Sequence, residues 1–172
     1  MRHLKLAAAL VLGTTSSMAW AADPVRRVVI AQPDGISIVA SDEMVAPTDM
    51  AGVGALHTMW GNDTAATFPD DGTQSGFETL YPPVGGFRVY IATYPAGQEV
   101  TPEAKSLTGG AELKSEGIPG MHKSDTTDFD MVLSGTVDCI LSDGTVVTLN
   151  KGDTIVLNGA DHAWRNTGTE DA

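Results

Sequence analysis

Apolar residues in this chain fall in short runs of Val, Ile, Thr and aromatic side chains, each closed by a Gly, Pro, Asn or Asp turn, and helical periodicity is almost absent. Runs of that kind cannot present a helical stripe. They pair as short strands, which confines the chain to an all-β sandwich or barrel. Arg26 to Ala31 and Ile36 to Ser41 flank Pro33-Asp34-Gly35, Ala55 to Trp60 reads as a third strand, and Phe87 to Tyr94 is a clear fourth. The last fifty or so residues are the most sharply patterned. Phe129 to Leu133 ends at Ser134-Gly135, Val137 to Leu141 and Thr145 to Leu149 flank Asp143-Gly144, Thr154 to Leu157 lies between two turns, and His162 to Arg165 begins one more strand. Asp-Gly between two alternating runs is a strong hairpin signal. Strands this short and this tightly joined must be antiparallel.

The first residues stand outside this pattern. Arg2, His3 and Lys5 precede an apolar run from Leu6 to Gly13, and Ala19-Trp20-Ala21 follows as a small-x-small site. That order is the layout of a secretory signal peptide over residues 1–21, with a mature start near Ala22 and a periplasmic or secreted destination. The remaining 150 or so residues, 22–172, make one domain with room for a core. No later apolar stretch is long enough for a membrane helix. Removal of Arg2 and Lys5 leaves 22 acidic against eight basic side chains, a balance that disfavours nucleic acid and anionic membrane as partners. Cys139 is the single cysteine, so no intrachain disulfide can form, and its place in an alternating run marks it as a small core residue.

Two stretches carry chemistry. Gly120 to Gly135 contains His122, Ser124 and Asp128, with six residues between the carboxylate and Gly135; Gly152 to Asn166 contains His162, Ala163, Trp164 and Arg165. Together they resemble the two motifs of the cupin superfamily, and more narrowly a group of small cupins with a His-x-Ser/Thr first motif ending in Asp and a His-Ala-Trp-Arg-Asn second motif. The likeness is close over residues 120–166 and loose before them. It implies a cupin-type antiparallel jelly-roll barrel with His122, Asp128 and His162 converging inside. Ser124 stands where the family usually has a second histidine, Asp128 replaces the usual Glu, and Asn158-Gly159 replaces Pro-x-Gly. The chain stops six residues after Asn166, where such proteins run on through another strand. A barrel edge left open there would invite pairing with a second copy as a homodimer.

Two histidines and a carboxylate suit a divalent transition metal, Fe, Mn, Ni or Zn, with open positions for water or substrate. The same three residues without metal could perform acid–base work, since a histidine held by a carboxylate exchanges protons near neutral pH. The resemblance implies a small-molecule enzyme of decarboxylase, dehydratase or oxidoreductase type, and the acid–base alternative points to a lyase or isomerase acting on an enolisable small organic molecule. A non-catalytic ligand-binding barrel and a degenerate barrel with a structural role stand as rivals, because fold alone does not fix a reaction. Outside this set, His57 reads as a structural histidine sharing a strand face with Ala55 and Met59. One of Trp164 and Arg165 should face the cavity, and Asn166 should bond at a strand end. The polar insertion over residues 96–121 is long enough to serve as a lid or rim.

Overall fold

The computed structural model describes residues 22–50, 53–77, 79–97, 112–113 and 117–172. The leader expected over residues 1–21 and most of the insertion over residues 96–121 lie outside these. The described residues form strands and turns throughout: β1 (Val25–Ala31), β2 (Ile38–Val45), β3 (Thr48–Asp49), β4 (Ala55–Asn62), β5 (Phe87–Thr93), β6 (Glu112–Leu113), β7 (His122–Lys123), β8 (Thr127–Met131), β9 (Thr136–Leu141), β10 (Val146–Asn150), β11 (Thr154–Asn158) and β12 (His162–Arg165). Among them no helix is long and apolar enough to cross a membrane. Hydrogen bonds divide the strands into four antiparallel sheets: β1-β2, β3-β4-β5, β11-β8, and the five-stranded β10-β9-β12-β7-β6.

Local chemistry explains where these strands begin and end. β2 runs from Ile38 to Val45, two residues later at its start and four later at its end than the apolar pattern indicates. Ile36 belongs to the turn, and the polar residues beyond Ser41 stay in the ladder because charges cross it. Arg26 grips Asp42 through both guanidinium and carboxylate arms at 2.8 Å, and Arg27 pairs with Glu43. In β4 the ladder slips between Thr58 and Trp60, so Met59 has no partner on β5 and its carbonyl accepts from Arg27 at 2.8 Å. The face expected to join His57 and Met59 is broken by that bulge. Glu112 and Leu113 of the long insertion pair with Lys123 and His122, so this part of it is an edge strand.

The C-terminal hairpins set the frame of the site. β9 and β10 meet across Asp143-Gly144, where Gly144 has φ +85° and Thr145 N–H caps the Asp143 carboxylate at 2.9 Å. β12 then lies between β9 and β7, with His162 opposite both Leu141 and His122. Alternation sorts this sheet into two faces. Ile140 and Ala163 face one another and pack with Met121 and Ile118 as an apolar cluster. The other face carries Val137, Leu149, His162 and Trp164 towards a cavity. The tail closes the frame: Tyr94 and Ala172 exchange backbone hydrogen bonds at 2.8 and 3.0 Å, and Ala96 N–H donates to Asp171. An added Cβ at Gly135 (φ +65°) would lie 2.6 Å from the Asp171 carbonyl, so only glycine lets the tail pass.

Candidate functional site

The cavity holds about 510 Å³, the size of an ordinary small-molecule pocket. All three residues singled out by the motifs line it. His122 enters from β7 and His162 from β12, and their paired register brings the two imidazole centroids to 4.4 Å. Asp128 enters from β8, which belongs to a separate sheet with β11.

The two histidines are held in the same way. His122 Nδ1 lies 2.8 Å from the Gly120 carbonyl, and His162 Nδ1 lies 2.9 Å from the Ala160 carbonyl. A carbonyl can only accept, so each Nδ1 carries a proton, and in the neutral ring Nε2 is then the lone-pair atom. His162 is 4% exposed. Burial, reinforced by the neighbouring His162, pushes the His122 pKa below its ordinary value against the opposing pull of the Gly120 hydrogen bond and the Asp128 charge. The imidazole is therefore a neutral base at physiological pH.

Asp128 is positioned by a chain of hydroxyls. Thr126 Oγ1 donates to Asp128 Oδ1 at 2.7 Å, and Ser124 Oγ, 2.5 Å from Thr126 Oγ1, donates in turn because Thr126 has spent its proton. Ser124, standing where the resemblance leads one to expect a ligand, is buried and orients the carboxylate instead.

The residues that motif spacing misses are Asp130, Tyr81 and Tyr94. Strand β8 turns Asp128 and Asp130 inward and leaves Phe129 69% and Met131 54% exposed. The usual rule of apolar-in and polar-out is reversed there. Desolvation, with the like charge of Asp128, raises the Asp130 pKa to about 6. Tyr81, its pKa pushed to about 12 by burial and the Asp128 charge, stands 6.5 Å from His122 between ring centroids. Trp164 lies 5.9 Å from His162 and 6.4 Å from Tyr94. Five rings thus form one row: Tyr81, His122, His162, Trp164, Tyr94. The spacing of Asp128 and Asp130 two apart on one strand was the available signal for the second carboxylate. Nothing local marks Tyr81 or Tyr94.

The remaining candidates take structural places. Trp164, rather than Arg165, faces the cavity; Arg165 turns to the opposite face and reaches Asp138 at 3.5 Å. Asn166 bonds the carbonyls of Tyr94 and Glu170 and accepts from Gly168 N–H, tying β12 to the tail. His57 is 2% exposed and its Nε2 donates to the Asp23 carbonyl at 2.9 Å, away from the cavity. Cys139 is wholly buried.

For a divalent metal, His122 and His162 fit the role of donors, since a backbone carbonyl holding Nδ1–H is how ligating imidazoles are commonly braced. The third donor does not join them: among the described residues no three His, Cys, Asp or Glu side chains are grouped to hold an ion. The residues present supply two donors of three.

No protein-family model matches the chain. Two curated fungal proteins, both from Diaporthe leptostromiformis, align with it over 71 residues. Phomopsin biosynthesis cluster protein C' is 38% identical and phomopsin biosynthesis cluster protein D is 37% identical. Each alignment covers 38% of this chain and 38% of the relative, so the chain matches well under half the length of these proteins.

Proposed function

We propose that this chain is an exported, cupin-type barrel protein that acts on a small organic molecule by proton transfer, with His122, Asp128 and His162 as its catalytic residues. The single observation that carries this reading is the side-by-side placement of two Nε2 lone pairs on one cavity wall, each fixed by its own Nδ1–H to a carbonyl. Neutral His122 takes a proton from a carbon beside a substrate carbonyl, and the resulting imidazolium is stabilised by the Asp128 carboxylate, whose charge already favours protonated His122. The proton then returns to a different atom, which is an isomerisation, or the carbanion expels a leaving group, which is a lyase reaction. The jelly-roll closure and the export belong to this proposal, supported by the motif resemblance and the leader layout.

A metal-assisted version draws support from the same carbonyl braces on both imidazoles. In it the two histidines would be the protein donors to Fe, Mn, Ni or Zn.

The test is deuterium incorporation into a panel of enolisable carbonyl compounds in D₂O, followed by proton NMR, with elemental analysis of protein prepared without chelator. His122→Ala and His162→Ala should each slow exchange by on the order of 10²-fold or more while the chain stays folded. Exchange that is unchanged in both variants contradicts the reading. Ligand retention without any exchange would make the chain a binding module, and a stoichiometric metal lost from both variants would select the metal-assisted version.

A further inference from the structure

The polar end of the cavity carries two imidazoles and two carboxylates and no basic side chain among the described residues, and this determines the kind of molecule it can hold. Both imidazoles have committed their N–H groups to carbonyls, so only lone pairs face inward. Asp128 and Asp130 add two carboxylates from one strand face. No lysine or arginine is among the described residues lining the cavity. The hydroxyls of Tyr81 and Tyr94 can donate or accept, and they do not alter the sign of the charge. His162, more than nine-tenths buried, aims an Nε2 with no hydrogen-bond partner among the described residues into this space. Two partly buried like charges without a counter-charge are costly to keep, and a bound cation is what would offset that cost.

The neighbouring surface fits the same occupant. The row Tyr81, His122, His162, Trp164, Tyr94 offers ring faces beside the carboxylates, and aromatic faces attract cations as well as apolar bodies. Leu56, Leu80 and Val137 supply apolar wall further along. The whole chain carries a formal net charge of −12, which draws cations towards the molecule and repels anions.

We propose that the cavity receives an organic cation, a protonated amine on an apolar body, with its ammonium group between Asp128 and Asp130 and its body along the row of rings. This names the substrate class of the acid–base site and rests on that reading for the location of the site alone. An ammonium brings the positive charge that the lining lacks. A carboxylate ligand of the same shape would face two like charges with no basic side chain to meet it.

The test compares three probes of matched body, 3-phenylpropylamine, 3-phenylpropanol and 3-phenylpropionate, by isothermal titration at about pH 8 with chelator present. The amine should bind about tenfold or more tightly than the alcohol, a gap of about 1.4 kcal/mol, and the carboxylate more weakly than the alcohol. In the Asp128→Asn, Asp130→Asn double variant the amine should fall to within about twofold of the alcohol. Asp130→Asn alone, which relieves a buried like charge and so keeps the fold, should weaken the amine about threefold or more. Equal or reversed preference, no binding by any probe, or a preference that survives in the carboxamide variants overturns the assignment. So does a divalent ion, added without chelator, that binds stoichiometrically and excludes the amine. Loss of the amine preference with histidine-dependent proton exchange intact would retire the charge assignment and leave the acid–base reading standing.

Discussion

Strands β8 and β9 are neighbours in the chain and treat the same pattern in opposite ways. In β9 the inward residues are Val137 and Cys139, at 6% and 0% exposure, as apolar alternation requires. In β8 the inward residues are Asp128 and Asp130, while Phe129 and Met131 stand in solvent. A slip of one residue would exchange the two faces of β8 and bury its apolar side chains. The register instead is held by Leu157 opposite Asp128 and by Thr127 bonded to Asn158 at the strand end. One strand is built for stability and the other sacrifices stability to bring charge into a cavity. Departures of that kind from local rules mark functional sites.

The comparison breaks most severely on the β9 side. Ile140→Ala removes a side chain 7% exposed and packed on Met121 and Ala163, and should cost about 2–4 kcal/mol in a urea melt. A loss below about 1 kcal/mol would mean that this cluster is not the core. Next comes the junction between the two strands. Gly135→Ala meets both a positive φ and the Asp171 carbonyl at 2.6 Å, and should cost about 2 kcal/mol; an unchanged melting temperature would show that the tail does not pass there.

On the β8 side the effect reverses sign. The Asp130 pKa is raised to about 6 in the folded chain, so the native state binds the extra proton. Its favourable contribution is present below the ordinary carboxylate value and is lost as pH rises through about 6. Asp130→Asn should therefore stabilise the protein above that pH, by about 1 kcal/mol after discounting for solvent exposure. In melting temperature this is about 2–4 °C for a chain of this size, and the gain should vanish near pH 4. A destabilised variant at pH 8 would contradict the buried-charge account of β8. Smallest of all, Phe129→Ser on the outer face should change stability by no more than about 0.5 kcal/mol. A large loss would place Phe129 in a core or an interface.

Much of the fold was legible because turn chemistry is local. Asp143-Gly144, Asn158-Gly159 and the apolar runs around them locate β9 to β12 almost to the residue. The N-terminal strands were less legible because their ends depend on partners: β2 extends through Asp42 and Glu43 only because Arg26 and Arg27 lie across from them. β7 escaped notice because two residues carry no periodicity, and its pairing with β12 and β6 makes it a strand. Of the site, His122, Asp128 and His162 could be picked out by spacing. Asp130 falls outside the motif spacing, although its place two residues beyond Asp128 on β8 gives it the same inward face. Tyr81 and Tyr94 arrive from distant chain segments that only the folded arrangement brings to the histidines.

The central claim is that both imidazoles hold Nδ1–H against a backbone carbonyl and turn Nε2 to the cavity, with His122 a weakened base steadied by Asp128. Nitrogen-15 NMR of the imidazole rings through a pH titration tests it most directly. The account predicts the Nδ1–H tautomer for both His122 and His162. It also predicts a His122 pKa below 6.5, falling further in Asp128→Asn because the supporting charge is gone. Since the folded value is depressed, the stability linked to His122 should be present above about pH 6.5 and lost as pH falls below it. An Nε2–H tautomer at either ring, or a His122 value above 6.5 that is indifferent to Asp128, would contradict the account.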